Sequence, residues 1–120
     1  MPTFCALAGA TLPKGFAFDG EDMSGALAGR PAARSKPVFW EYGRNEKFFG
    51  YPKGAGRSPN VAVREGKWKL LVNADETRLE LYDLLADPKE AANVAEKNAE
   101  VAARLKEMAL AWRRALPGPK

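Results

Sequence analysis

Histidine is absent from the 120 residues, and cysteine occurs once, as Cys5. The first absence removes the side chain that most often exchanges protons near neutral pH, and with it the commonest neutral metal ligand. A lone cysteine excludes an intrachain disulfide. No apolar run approaches the roughly 20 residues that a membrane-crossing helix needs, so no membrane partner is expected. The opening MPTFCALAGA is apolar but short and has no leading positive charge, which makes it a poor signal peptide and leaves the location open. No internal repeat or low-complexity tract is present. Charge of either sign is modest: 19 Lys and Arg face 15 Asp and Glu, a net +4. Such an excess attracts polyanions, but it falls short of a nucleic-acid footprint, and no nucleic acid is expected as partner.

What is present is ordinary globular composition, 46% hydrophobic and 28% charged, in a length that suits one core. The chain is organised around Val61 to Leu85, VAVREGKWKLLVNADETRLELYDLL. Val61 and Val63 alternate with Ala62 and Arg64, Trp68, Leu70 and Val72 with Lys67, Lys69 and Leu71, and Leu79 and Leu81 with Glu80 and Tyr82. Period-two alternation of this kind predicts antiparallel strands with one apolar face. Glu65-Gly66 is the expected two-residue turn of the first hairpin, with glycine supplying a positive φ. Asn73 to Thr77 forms the next turn, and Asp87-Pro88-Lys89-Glu90 forms the exit.

Around this hairpin, Lys36 to Tyr42 is a fourth strand, with Pro37 at its start where a missing N–H is tolerated. Val101, Leu105, Met108, Trp112 and Leu116 recur at helical spacing and predict a C-terminal helix with Asn98 as N-cap and Glu100 in its first turn. Pro117-Gly118-Pro119 ends it. Pro2 to Ala8 is a short helix stopped by Gly9. It starts without an N-cap beyond Met1 and reads as the tail of something longer. Between them, residues 12–34 are punctuated by Gly and Pro, with one helical turn expected after Asp22 or Ser24. The expected fold is therefore α+β: a small antiparallel sheet of about four strands, the C-terminal helix on one face, and a short N-terminal helix remnant. Residues 1–35 are a connecting segment and residues 36–120 the α+β subdomain.

Several of these stretches carry a family signal. Ala62-Val63-Arg64-Glu65-Gly66-Lys67-Trp68-Lys69-Leu70 resembles the A-V-R-x-G-x-W-K-L hairpin of type I sulfatases, of the arylsulfatase and N-acetylgalactosamine-6-sulfatase-like branch. Glu80-Leu81-Tyr82-Asp83-Leu84, then Asp87-Pro88-Lys89-Glu90 and Asn93-Val94-Ala95, is similar to their E-L-Y-D-L-x-x-D-P-x-E-x-x-N-L-A segment. Met1-Pro2-Thr3 through Ala10 resembles a D-I/L-x-P-T helix without its leading Asp. Phe18-Asp19-Gly20 with Leu27 and Gly29, and Phe39-Trp40-Glu41, also follow in family order. The resemblance covers nearly the whole chain but only the family's C-terminal portion. It implies a sulfuric ester hydrolase whose formylglycine and calcium sit in a larger N-terminal domain. This chain has no C-x-P-x-R motif, no histidine and no aspartate pair of that kind, so no catalytic residue, metal ligand or cofactor is assigned to it. The implied partner is that catalytic domain, in cis or as a separate chain, and the implied ligand is a sulfated glycan. An apolar face left uncovered would show as self-association.

One stretch offers binding chemistry of its own. GRNEKFFGYPKGAGRSPN, residues 43–60, interleaves Arg44, Lys47, Lys53 and Arg57 with Phe48, Phe49 and Tyr51. Cations suit sulfate oxygens and aromatic rings stack on sugar faces. The plainer alternative is a solvated basic loop whose rings anchor on another domain. A second alternative makes the chain a freestanding basic module for sulfated polysaccharide or another polyanion. Cys5 lacks the neighbours of a formylglycine motif and reads as a small apolar residue. Asp83, Asp87 and Glu90 lack calcium-loop spacing and read as turn and cap residues. Trp68 and Trp112 read as core, and Lys67 and Lys69 as surface or edge charges.

Overall fold

A computed structural model of the chain describes residues 1–30, 33–44 and 56–118. They fall into two compact units, Met1–Pro37 and Val38–Lys120.

The first unit is built from two short helices, α1 (Pro2–Leu7) and α2 (Ser24–Leu27). Pro2 opens α1, and Gly9 ends it at φ 66°, with the Ala10 N–H returning to the Cys5 carbonyl at 2.8 Å. Thr3 joins the two helices: its Oγ1 donates to the Glu21 carbonyl at 3.1 Å and accepts from the Met23 N–H at 3.0 Å. Asp22 Oδ1 accepts the Ser24 N–H at 2.9 Å, the local turn expected there. Glu21 gathers Ser35, through its N–H at 3.0 Å and its hydroxyl, and Arg34 at 3.5 Å. The Ser35 hydroxyl holds the Glu21 carboxyl below the usual range. Little apolar surface is hidden in this unit. Phe4, Leu7, Phe16 and Leu27 are exposed, and Pro2 alone is buried among its described residues.

The second unit is a four-stranded antiparallel sheet in the order β1-β2-β3-β4, followed by one long helix. The strands are β1 (Val38–Glu41), β2 (Val61–Glu65), β3 (Trp68–Val72) and β4 (Glu80–Asp83), and the helix is α3 (Ala99–Ala115). Register places Phe39 beside Val63, Val63 beside Leu70, and Leu70 beside Leu81. That row, with Val61 and Val72, is the apolar face that the alternation predicts. α3 lies on it through Ala102, Leu105, Ala109 and Leu110. Trp112 stacks on Phe39 with ring centroids 5.2 Å apart and planes 13° from parallel. On the opposite face Ala62 and Leu71 pair directly and are also buried.

Four details differ from the sequence reading. The first hairpin turns at Gly66-Lys67, because Glu65 pairs with Trp68. Gly66 takes the positive φ, 56°, at the first turn position, where Glu65 would be strained. The deepest positions of α3 are Ala102, Leu105 and Ala109, since small residues let the helix approach the sheet; Val101, Met108 and Trp112 flank them half-buried, and Leu116 leaves the helix with ψ 147°. Asn98 stands at the N-cap position but caps nothing; its Nδ2 donates back to the Val94 carbonyl at 3.1 Å. Finally, β3 is a central strand, so Lys69 is no edge charge. It is half-buried, with Nζ 2.6 Å from Glu90 and 5.8 Å from the Trp40 ring centroid.

The outer edge of β4 is closed by one side chain. Asn93 Oδ1 accepts from the Leu81 N–H at 2.9 Å and the Ala95 N–H at 3.0 Å. Its Nδ2 donates to the Leu79 carbonyl at 3.1 Å, and the Val94 N–H donates to the Leu81 carbonyl at 2.8 Å. The carboxamide thus stands in for a fifth strand, satisfying an edge that would otherwise invite pairing.

Candidate functional site

Antiparallel register brings two polar segments to one end of the sheet. Val61 pairs with Val72, so the residues before β2 meet the loop after β3. Asn60 stitches them: its Oδ1 accepts the Ala74 N–H at 2.9 Å, while its carbonyl accepts the Tyr42 N–H at 2.8 Å. Arg57, Ser58, Asn60, Asn73, Asp75 and Arg78 line an open cavity of about 350 Å³ there.

The far wall is a tightly bonded loop. Asn73 N–H donates to the Thr77 carbonyl at 2.9 Å, and Asn73 Nδ2 donates to Thr77 Oγ1 at 2.8 Å. Asp75 Oδ1 accepts from the Thr77 hydroxyl at 2.6 Å and from its N–H at 3.1 Å. These bonds hold the Asp75 carboxyl below its usual range, so it is anionic near neutral pH. Glu76 and Arg78 both adopt left-handed backbone, at φ 67° and 51°. Arg78 spans the cavity rim, donating through Nη1 to the Arg57 carbonyl and through Nη2 to Glu80 Oε1 at 3.0 Å.

The four cations singled out from sequence are not gathered in one place. Arg57 lies on the cavity wall. Arg44 sits at the root of its loop and is engaged elsewhere, donating to Glu41 Oε2 at 3.4 Å and to the Leu116 carbonyl at 3.3 Å. Lys47 and Lys53, with Phe48, Phe49 and Tyr51, lie outside the described residues. Arg78, Asn60 and Asn73 were not singled out. Their signal was the polar turn Asn73 to Thr77 read together with the hairpin register, which sets that turn opposite residues 57–60.

The other titratable groups have structural work. Asp83 accepts Lys67 Nζ at 2.6 Å and the Leu85 N–H at 3.1 Å, and the lysine holds its carboxyl below the usual range. Asp87 Oδ2 accepts the Ala92 N–H at 2.9 Å. Among the described residues no group of acidic or sulfur side chains is placed to hold a metal ion. Tyr82 donates to Glu80 Oε2 at 3.1 Å; burial, reinforced by that carboxylate, pushes its phenol up to about 12. Cys5 is half-buried on α1. No described helix is long and apolar enough to cross a membrane.

Among its described residues the second unit is thus a meander sheet backed by one C-terminal helix. Residues 1–115 match the family model described as N-sulphoglucosamine sulphohydrolase, C-terminal, and the chain belongs to that family. It is 35% identical over 96 residues to a choline-sulfatase of Rhizobium meliloti (strain 1021), an alignment covering 79% of this chain and 16% of the relative. A candidate sulfatase from Bacteroides thetaiotaomicron VPI-5482 superposes with a TM-score of 0.58 at 26% identity, over 89% of this chain and 22% of that one. A protein solved in complex with its substrate D-glucosamine-2-N,6-O-disulfate has the same fold, with a TM-score of 0.56 at 24% identity, over 97% of this chain and 24% of that one. The chain thus spans less than a quarter of each of these relatives.

Proposed function

We propose that the chain is the C-terminal portion of a sulfatase, a sulfuric ester hydrolase, that packs on the catalytic domain and shapes the substrate pocket without being catalytic alone. The family match over residues 1–115, set against relatives several times longer, carries this reading. Two features support it. Met1, Phe4, Leu7, Phe16 and Leu27 expose apolar surface in the first unit that a partner domain would cover. The sequence of the basic stretch adds Lys47, Lys53 and Arg57, residue types that suit a sulfated substrate, while Arg44 at its root is taken up by Glu41. Formylglycine and calcium belong, in this reading, to the catalytic domain.

The intact mass of the native polypeptide, captured from its source with an antibody to α3, tests the reading. A mass several times that of 120 residues is expected. A mass equal to that of the chain overturns it in favour of a freestanding basic module that holds sulfated polysaccharide. The chain itself, purified, is expected to leave an aryl sulfate unhydrolysed, because it has neither histidine nor a formylglycine motif; turnover abolished by denaturation would contradict this.

A further inference from the structure

We infer that the cavity between Arg57 and Arg78 is a subsite for one anionic hexose unit, its charged group held by the two guanidinium groups and its hydroxyls by Asn60, Asn73 and Asp75. The choice of a sugar as ligand rests on the sulfatase reading above; the site itself rests on its geometry.

The volume, about 350 Å³, suits a single sugar ring. The wall chemistry is mostly that of hydrogen-bond donors. Arg78 uses one N–H on the Arg57 carbonyl and one on Glu80, which fixes the plane of its guanidinium and leaves its remaining donors uncommitted among the described residues. Asn60 spends its carboxamide oxygen on the Ala74 N–H, so its Nδ2 is left to donate to a ligand oxygen. The carboxylate on the wall, Asp75, is held by Thr77 and can accept a sugar hydroxyl while keeping its own position. Backbone strain points the same way. Arg78 stands at φ 51°, a conformation glycine adopts freely and arginine disfavours, and strain retained in a bonded loop is a recurring mark of binding sites.

Sulfate esters and uronate carboxylates share the recognised chemistry, and titration separates them. The 120-residue chain is titrated with glucose 6-sulfate, glucuronate and glucose while the side-chain amide signals of Asn60 and Asn73 are followed by NMR. Movement of those signals with glucose 6-sulfate, and not with glucose, is expected. Movement with glucuronate alone would keep the subsite and assign it to a uronate. Arg57→Ala and Arg78→Gly should each weaken binding about fivefold, the loss of one solvated ion pair. Glycine suits φ 51°, so Arg78→Gly removes the cation while leaving the fold intact, which the amide spectrum verifies. Silence of Asn60 and Asn73 with every ligand overturns the subsite. So does binding that both arginine variants retain and Lys47→Ala or Lys53→Ala abolishes; that outcome would leave the basic loop, and the sulfatase reading, standing without the cavity.

Discussion

Arg113 Nε lies 2.8 Å from Glu41 Oε1 and so ties the last turn of α3 to the end of β1. The Glu41 side chain is only 4% exposed, and its other oxygen is 3.4 Å from Arg44. One carboxylate thus binds strand, helix and the root of the basic stretch. Arg113→Ala leaves a nearly buried carboxylate with one distant partner, and should cost about 2 kcal/mol of stability. Glu41→Gln, which keeps an acceptor, should cost less. Urea unfolding of the two variants checks the order; equal stability of Arg113→Ala and the parent would show the pair to be inert.

Asn93 should be sensitive to loss of its carboxamide, and even to a change that preserves its size. Asn93→Ala strands the N–H of Leu81, a fully buried residue, and should lose about 2 kcal/mol. Asn93→Asp keeps that acceptor but drops the donor to Leu79, and should fall between the two. Amide exchange at Leu81 reads the effect directly.

Core and surface leucines should separate cleanly. Leu70 is 0% exposed at the centre of the sheet, and Leu70→Ala should destabilise by about 3 kcal/mol through lost contacts and a cavity. Leu85 is 82% exposed, and Leu85→Ala should stay within about 0.5 kcal/mol of the parent. Thermal denaturation of the pair is the check.

Tyr82 makes stability fall at alkaline pH. Its phenol ionises near 12 in the fold, against an ordinary value near 10. Below the ordinary value both states hold the proton and the contribution is complete. As pH rises from about 10 towards 12 the unfolded chain releases its proton first, so unfolding is favoured and the contribution is lost. Tyr82→Phe should flatten this part of the profile. The difference between parent and variant in urea midpoint, measured from pH 8 to 11.5, isolates it from the lysines.

The sheet, its one apolar face and the covering helix were legible because alternation at period two and recurrence at helical spacing are local signals. Val61, Val63, Leu70, Val72 and Leu81 are core for the reason their spacing implies. The family was legible because its motifs follow in order along the chain. The Gly66-Lys67 turn was misplaced by one residue, since Glu65 and Gly66 differ in turn preference but only pairing with Trp68 decides which of them the strand retains.

The candidate site was legible in one residue of its pair. Sequence determined that Arg57 belongs to a basic stretch, that the chain has no histidine, and that its strands follow one another as a meander. Tertiary structure alone decided that Arg78 reaches the Arg57 carbonyl from 21 positions away, and that Arg44 turns instead to Glu41 and the end of α3. The physical reason is the antiparallel register. It is set by the apolar face of the sheet, and it carries into apposition loop residues whose own sequence holds no record of their neighbours.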